Sequence, residues 1–144
     1  MKKFIAISLL SIVSSVSMAA TISLPDNLIF TAVDGKTVQN KSQIDIAPGQ
    51  HLIQLQFFDV FRRGVDDTDM IKSDALYWIY NLAKDEDIQV KTKEVLSSTS
   101  AKNFIKSPLI TLDRANIKGE TVKLVNHEEL MAIIMKQHSK MMQQ

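Results

Sequence analysis

The sequence predicts a mainly β fold: a small β-sandwich-like domain over residues 20–125, followed by one C-terminal amphipathic α-helix over 126–144. Three observations predict it. Short runs of alternating apolar and polar residues recur along the chain, separated by turn pairs such as Asp34-Gly35 and Pro48-Gly49. The period becomes helical only after Asn126. No cysteine is present, so the fold must rest on apolar packing or on a partner rather than on disulfides.

Each element follows in order. Thr21 to Leu24 alternates ahead of a Pro25-Asp26-Asn27 turn. Leu28 to Val33 is β-type, and Asp34-Gly35 after it predicts a hairpin, because both central residues of a type I′ turn need positive φ. Ile44-Asp45-Ile46 is a short strand ending at Pro48-Gly49. Gln50 to Phe61 is the clearest strand, with Ile53, Leu55 and Phe57 on one face. Phe58 and Val60 then continue on the other face, which predicts a bulge at Phe57-Phe58 or burial on both sides. Arg62 to Asp74 is polar and holds Gly64, the pattern of an exposed loop. Ala75 to Leu82 is apolar and aromatic on both faces and reads as a covered strand, with a short helix as the rival. Asp87 to Val95 is a half-exposed strand, and Ser98 to Lys106 a loop or one or two helical turns. Leu109 to Leu112 and Thr121 to Val125 are two further strands around Gly119. Asn126 then caps a helix, with Glu129 at the capping-box spacing and Leu130, Ile133, Ile134, Gln137 and Met141 along one stripe. That stripe is expected to pack on the domain, with a partner-binding or membrane-touching helix, its adaptable surface made by Met131, Met135, Met141 and Met142, as the alternative.

The N-terminus carries an export signal. Lys2 and Lys3 precede a short apolar core, and Ser17-Met18-Ala19 places small residues at the third-last and last positions before a cut after Ala19. The apolar run is too short to span a bilayer, and no later stretch is long enough to do so. The mature chain keeps fifteen basic residues against sixteen acidic ones, a net charge of −1, which argues against nucleic acid as a partner.

The usual catalytic constellations have few parts available. His127 and His138 lie eleven residues apart on the predicted helix, about 16 Å along its axis, too far to share a metal ion. His51 follows a Pro-Gly turn and is read as a turn residue whose ring bonds nearby backbone. Asp66, Asp67 and Asp69 lack the central glycine and distal Glu of a calcium loop and read as a solvated loop. No nucleophile elbow and no phosphate-cradling glycine loop occurs. The expectation is no enzyme activity, no metal and no cofactor. Tyr77, Trp78 and Tyr80 combine apolar area with polar tips and are the candidate residues for stacking on a sugar or a partner peptide, against the alternative of core packing.

One family shares several of these motifs. A strand over Leu28 to Val33, the turn Asp34-Gly35-Lys36, a strand at Ile44-Asp45-Ile46 and the turn Pro48-Gly49-Gln50-His51 occur in that order. Ser100-Ala101-Lys102-Asn103-Phe104 then precedes a Pro-led strand, Pro108 to Asp113. This order resembles an uncharacterised gammaproteobacterial periplasmic family that includes the enterobacterial curli assembly inhibitor. The chain is shorter than typical members, which continue well past the Pro-led strand. The resemblance implies export to the periplasm, a β-rich fold, no known enzyme activity and an interaction role. Asp34, Gly35, Lys36, Gly49 and His51 are the family turn residues. Two functions are expected from it: a non-catalytic periplasmic protein-interaction domain that modulates assembly of β-rich fibres, or an envelope module that holds glycan or peptidoglycan.

Overall fold

The computed structural model describes residues 19–83 and 86–144. The expected signal peptide, Ala19 apart, lies outside the described residues. The elements are β1 (Ala20–Ser23), β2 (Leu28–Val33), β3 (Lys36–Lys41), β4 (Gln43–Ile46), β5 (Gly49–Arg62), β6 (Thr68–Lys72), β7 (Leu76–Leu82), β8 (Ile88–Thr92), α1 (Ser98–Lys106), β9 (Leu109–Asp113), β10 (Glu120–Lys123) and α2 (His127–Met142).

The fold is mainly β, as the alternating pattern predicts, with two five-stranded sheets and two helices among the described residues. One sheet runs β10-β9-β8-β1-β4. Its strand next to the β4 edge is unusual, because β1 pairs antiparallel with β4 on one side and parallel with β8 on the other, through Ile22↔Ile88 and Ser23↔Gln89. The second sheet runs β3-β2-β5, with β7 and β6 both paired to β5. β7 follows β5 from Gly49 to Leu55 and β6 follows it from Phe58 to Arg62, so the two form one long ribbon against β5. The inward residues of both sheets, among them Phe30, Leu55, Phe57, Trp78, Ile110 and Leu112, make a single core from which water is excluded.

The two sheets meet at two corners. At one, the chain leaves β3, passes Ser42 and enters β4, changing sheets within one residue. At the other, Val125 bridges Tyr77 of β7, with Tyr77 N–H donating to Val125 O at 2.8 Å and Val125 N–H donating back at 2.9 Å. At the loop end of the β9–β10 hairpin Arg114 lies between two carboxylates, 3.6 Å from Glu86 Oε1 and in contact with Glu120 Oε2. It ties the β9–β10 loop to the segment before β8.

Three expectations are corrected by the structure. The polar stretch Arg62 to Asp74 is not all loop, because Thr68–Lys72 forms β6. Its one inward residue, Ile71, is buried, and its polar residues face water from a strand held mainly by the β5 backbone ladder. No bulge breaks β5 at Phe57-Phe58. The irregularity lies opposite, where Ser73, Asp74 and Ala75 on the β6–β7 ribbon face Gln56 and Phe57. Ser73 Oγ accepts from the Phe57 N–H at 2.9 Å and donates to Asp74 O at 2.7 Å, which satisfies the polar groups that such a bulge strands. Phe58 and Val60 are therefore on the outer face and partly exposed. Finally, the α2 stripe does not pack on the domain as a whole: Leu130 is buried and Ile133 half-buried, and beyond Ile133 every residue of the helix is exposed.

Both helices begin with a capping box. Ser97 and Ser100 cap α1, whose Phe104 ring lies 5.2 Å from that of Phe57 and covers the inner face of the ribbon. Asn126 Oδ1 accepts from Glu129 N–H at 2.8 Å, and Glu129 Oε2 accepts from Asn126 N–H at 3.0 Å. Asn126→Ala is expected to remove about 1 kcal/mol of helix stability. The loss should appear as faster amide exchange in the first turn of α2, with β-sheet exchange unchanged.

Candidate functional site

The two turns shared with the resembling family meet in space. Asp34 and Gly35 adopt φ of +50° and +77°, as a type I′ hairpin turn demands. That conformation aims the Asp34 carboxylate at β5. Its Oδ1 accepts from Leu52 N–H at 2.8 Å, and its Oδ2 lies 2.7 Å from Nδ1 of His51. The other ring nitrogen of His51, Nε2, lies 2.6 Å from the carbonyl oxygen of Ala47. A carboxylate and a carbonyl only accept, so both ring nitrogens donate and His51 is an imidazolium in this geometry. The hydrogen bond from Asp34 raises the His51 pKa above its ordinary 6.5, against the opposing pull of burial. The same bond, helped by the Leu52 N–H, lowers Asp34 below its ordinary 3.8. Lys36 is exposed and adds a weaker attraction to the same carboxylate, and Gly49 takes φ +125° where the chain turns into β5.

This clasp stands at the mouth of a gap. β3 and β4 are the edge strands of their respective sheets. They are joined only through Ser42, at the end of β3 and the start of β4. The space between them, about 420 Å³, is lined by Val33, Val38, Lys41, Gln43, Ile44, Asp45 and Ile46. Asp34 precedes the start of β3 and Ala47 follows the end of β4. The His51 clasp therefore links the two strand ends farthest from Ser42 and sets how far the gap opens. The side chains lining the gap floor are apolar, whereas its rim carries Lys41, Gln43 and Asp45, with Asp45 accepting from Thr21 Oγ1 at 2.7 Å.

Sequence reasoning found both turns and missed their union, because Asp34 and His51 are seventeen residues apart and no short motif spans them. It also missed the gap. Val38 sits in an otherwise polar strand, and nothing in KTVQNK marks it as lining an opening.

The predicted aromatic trio does not form a common surface. Trp78 is 2% exposed and packs in the core, its ring 4.7 Å from Tyr80, so it offers no face to a ligand. Tyr80 points the same way, and its hydroxyl finds no hydrogen-bond partner among the described residues. Burial pushes that hydroxyl above its ordinary pKa, with Arg114 opposing. Tyr77 and Tyr80 are both half-buried, and Tyr77 lies on the opposite face from the other two, at the corner with Val125 and 6.3 Å from the His127 ring. Of the acidic cluster, Asp69 pairs with Arg63 at 3.0 Å, and Asp66 and Asp67 are exposed in the β5–β6 turn. Among the described residues no three His, Cys, Asp or Glu are placed to hold a metal ion, and no helix is long and apolar enough to cross a membrane.

Fold and site together define a small, mainly β protein of two facing sheets, bridged at one corner and clasped around an opening at the other. The chain belongs to the DUF2057 family, described as uncharacterized proteins conserved in bacteria, whose family model matches residues 21–141. It is 27% identical over 128 residues to a UPF0319 protein of Shewanella oneidensis strain MR-1, which covers 83% of this chain and 56% of that protein. The chain thus spans little more than half the length of that curated relative. No solved structure matches the chain.

Proposed function

We propose that the protein is a non-catalytic interaction domain of the periplasm that takes an extended strand of a β-rich partner into the gap between β3 and β4. The observation that carries this reading is the gap itself: two edge strands, one from each sheet, flank an apolar floor with nothing between them. An edge strand presents backbone donors and acceptors that an incoming strand can pair with, and alternate side chains of that strand would enter the apolar floor. Lys36 and Lys41 on β3 discourage self-pairing of that edge. A domain that accepts a strand in this way would cap the growing edge of a fibre. This gives a physical basis for a curli-inhibitor-like role, which otherwise rests on the family resemblance. Export is supported by the position of β1, which opens at Ala20, the residue expected to follow the cut.

At substoichiometric ratio, the purified protein is expected to delay thioflavin-detected polymerisation of a curli-type subunit. Val38→Lys fills the gap floor and is expected to abolish the delay, while costing only about 1 kcal/mol of stability at a half-buried site. Absence of delay by the unmodified protein, or full delay by Val38→Lys, refutes the reading. Retention on purified peptidoglycan without any delay would instead favour a glycan-holding module.

A further inference from the structure

One end of the core is closed by charged and polar groups instead of apolar ones. Tyr80, Glu86, Arg114 and Glu120 all stand there on the inward side of the sheets. Tyr80 shares the face of Trp78, Glu86 comes two residues before the buried Ile88, Arg114 comes two beyond the buried Leu112, and Glu120 lies opposite Leu112. The Arg114 guanidinium serves both carboxylates. The Tyr80 phenol feels the charges of Arg114 and Glu86. Two carboxylates against one guanidinium leave this cluster one positive charge short. Oε2 of Glu86, the Tyr80 hydroxyl and Nε of Arg114 are buried in it without a hydrogen-bond partner among the described residues. Of these the carboxylate oxygen calls for a cation, because a buried charge left unpaired is costly.

The parallel register of β1 and β8 says which cation the chain supplies. Ile22 pairs with Ile88 and Ser23 with Gln89. Two residues back along both strands, Ala20 comes level with Glu86, one strand spacing of about 4.8 Å away. Ala20 is buried and opens β1, whereas Ala19 before it is exposed. We propose that the cut after Ala19 frees an α-ammonium on Ala20 that pairs with the Glu86 carboxylate, so that removal of the signal peptide completes the fold. The inference rests on the export reading and its cut site. Before the cut the nitrogen of Ala20 is an amide and carries no charge. Hydrolysis by a signal peptidase adds one water across the Ala19–Ala20 peptide bond. Ala19 leaves with a carboxylate, and Ala20 keeps an amine that is an ammonium at neutral pH. The uncut chain therefore holds this end of the core underfilled, and the processed chain closes it with a charge-assisted hydrogen bond.

The test uses the full chain, expressed from Met1 and purified as an exporting Gram-negative host processes it. Its intact mass is expected to be that of a chain beginning at Ala20. Another start overturns the cut and the pairing together, and leaves strand capture by the β3–β4 gap untouched. The α-amine is then acetylated briefly at pH 7 and the N-terminal peptide read by mass spectrometry. Acetylation is expected to be about tenfold slower in the native protein than in the guanidinium-unfolded chain, the protection that one hydrogen bond between charged groups gives. Glu86→Gln is expected to restore the faster rate with unchanged far-ultraviolet dichroism. Equal rates in the native and unfolded chains overturn the pairing with the cut intact, and so does slow acetylation that persists in Glu86→Gln. A chain made without the signal peptide and beginning one residue early, at Ala19, keeps Glu86 and moves only the ammonium. It is expected to acetylate at the unfolded rate and to unfold at a lower urea concentration than the Ala20 form. Unfolding at the same urea concentration overturns the proposal even if Glu86→Gln does not fold.

Discussion

Trp78→Ala lowers the unfolding free energy by about 3–5 kcal/mol, the range for emptying a large buried aromatic site. Trp78 lies on the inward face of β7, opposite Ile53 of β5 and against the Tyr80 ring, and its removal leaves a void that those neighbours cannot fill without moving a strand. Domains of this size have a total stability of about 5–15 kcal/mol, so the variant approaches the edge of folding. The urea midpoint followed by far-ultraviolet dichroism checks it. Tyr77→Ala, one residue away but on the outer face, is the contrast and is expected to cost about 1 kcal/mol. A loss below about 1 kcal/mol for Trp78→Ala would mean that the indole is outside the core and free to stack on a ligand.

His51→Ala costs about 1–2 kcal/mol at pH 5.5 and less as the pH rises. The figure is that of hydrogen bonds to charged groups, reduced because the Asp34 side chain is 47% exposed and screened by water. The direction with pH follows from the two shifts. The His51 pKa is raised in the folded state, so its contribution is complete below about 6.5 and is lost as the pH rises through the higher folded value. The Asp34 pKa is lowered, so its contribution is complete above about 3.8 and is lost as the pH falls through the lower folded value. The clasp is therefore strongest between about pH 4 and 6.5. When the imidazolium loses a proton, one nitrogen turns a lone pair towards Asp34 or Ala47 and that bond breaks. Urea titrations of the unmodified protein and of His51→Ala across pH 5.5 to 8.5 isolate the effect, since other groups cancel in the difference. A difference that grows with pH would show that the ring is neutral in the folded protein.

Local chemistry was legible in the sequence wherever one short stretch carried it. Asp34-Gly35 specifies its own positive φ values, Asn126 and Glu129 close their box within one turn, and the Gln50 to Phe61 pattern sets Ile53, Leu55 and Phe57 on one face directly. Legibility ended where a partner strand decided the outcome. Thr68 to Lys72 is polar because it lies at a sheet edge, and composition alone cannot separate such a strand from a loop. The apparent phase change at Phe57-Phe58 belonged to the facing strand, which takes up the extra residue at Ser73 to Ala75. For α2 the helical period was plain, but it admits two neighbouring apolar lines. Only the docking angle shows that Leu130 and Ile133 face the domain while Met131, Ile134 and Met135 do not. The clasp and the gap needed the sheets assembled, because they join residues that the chain separates by a hairpin and a corner.

The parallel seat of β1 between β4 and β8 has a consequence for the order of events in folding. Among the described strands β1 comes first in the chain, and its flank away from β4 stays vacant until Ile88 and Gln89 arrive. The earliest segment is thus among the last to be locked in, and nucleation must start elsewhere, in the local β2–β3 and β5–β6 hairpins. An interval in which Ala20 and Ile22 stand unsheltered is built into the topology, and a holdase or a slow delivery of the chain would act during that interval.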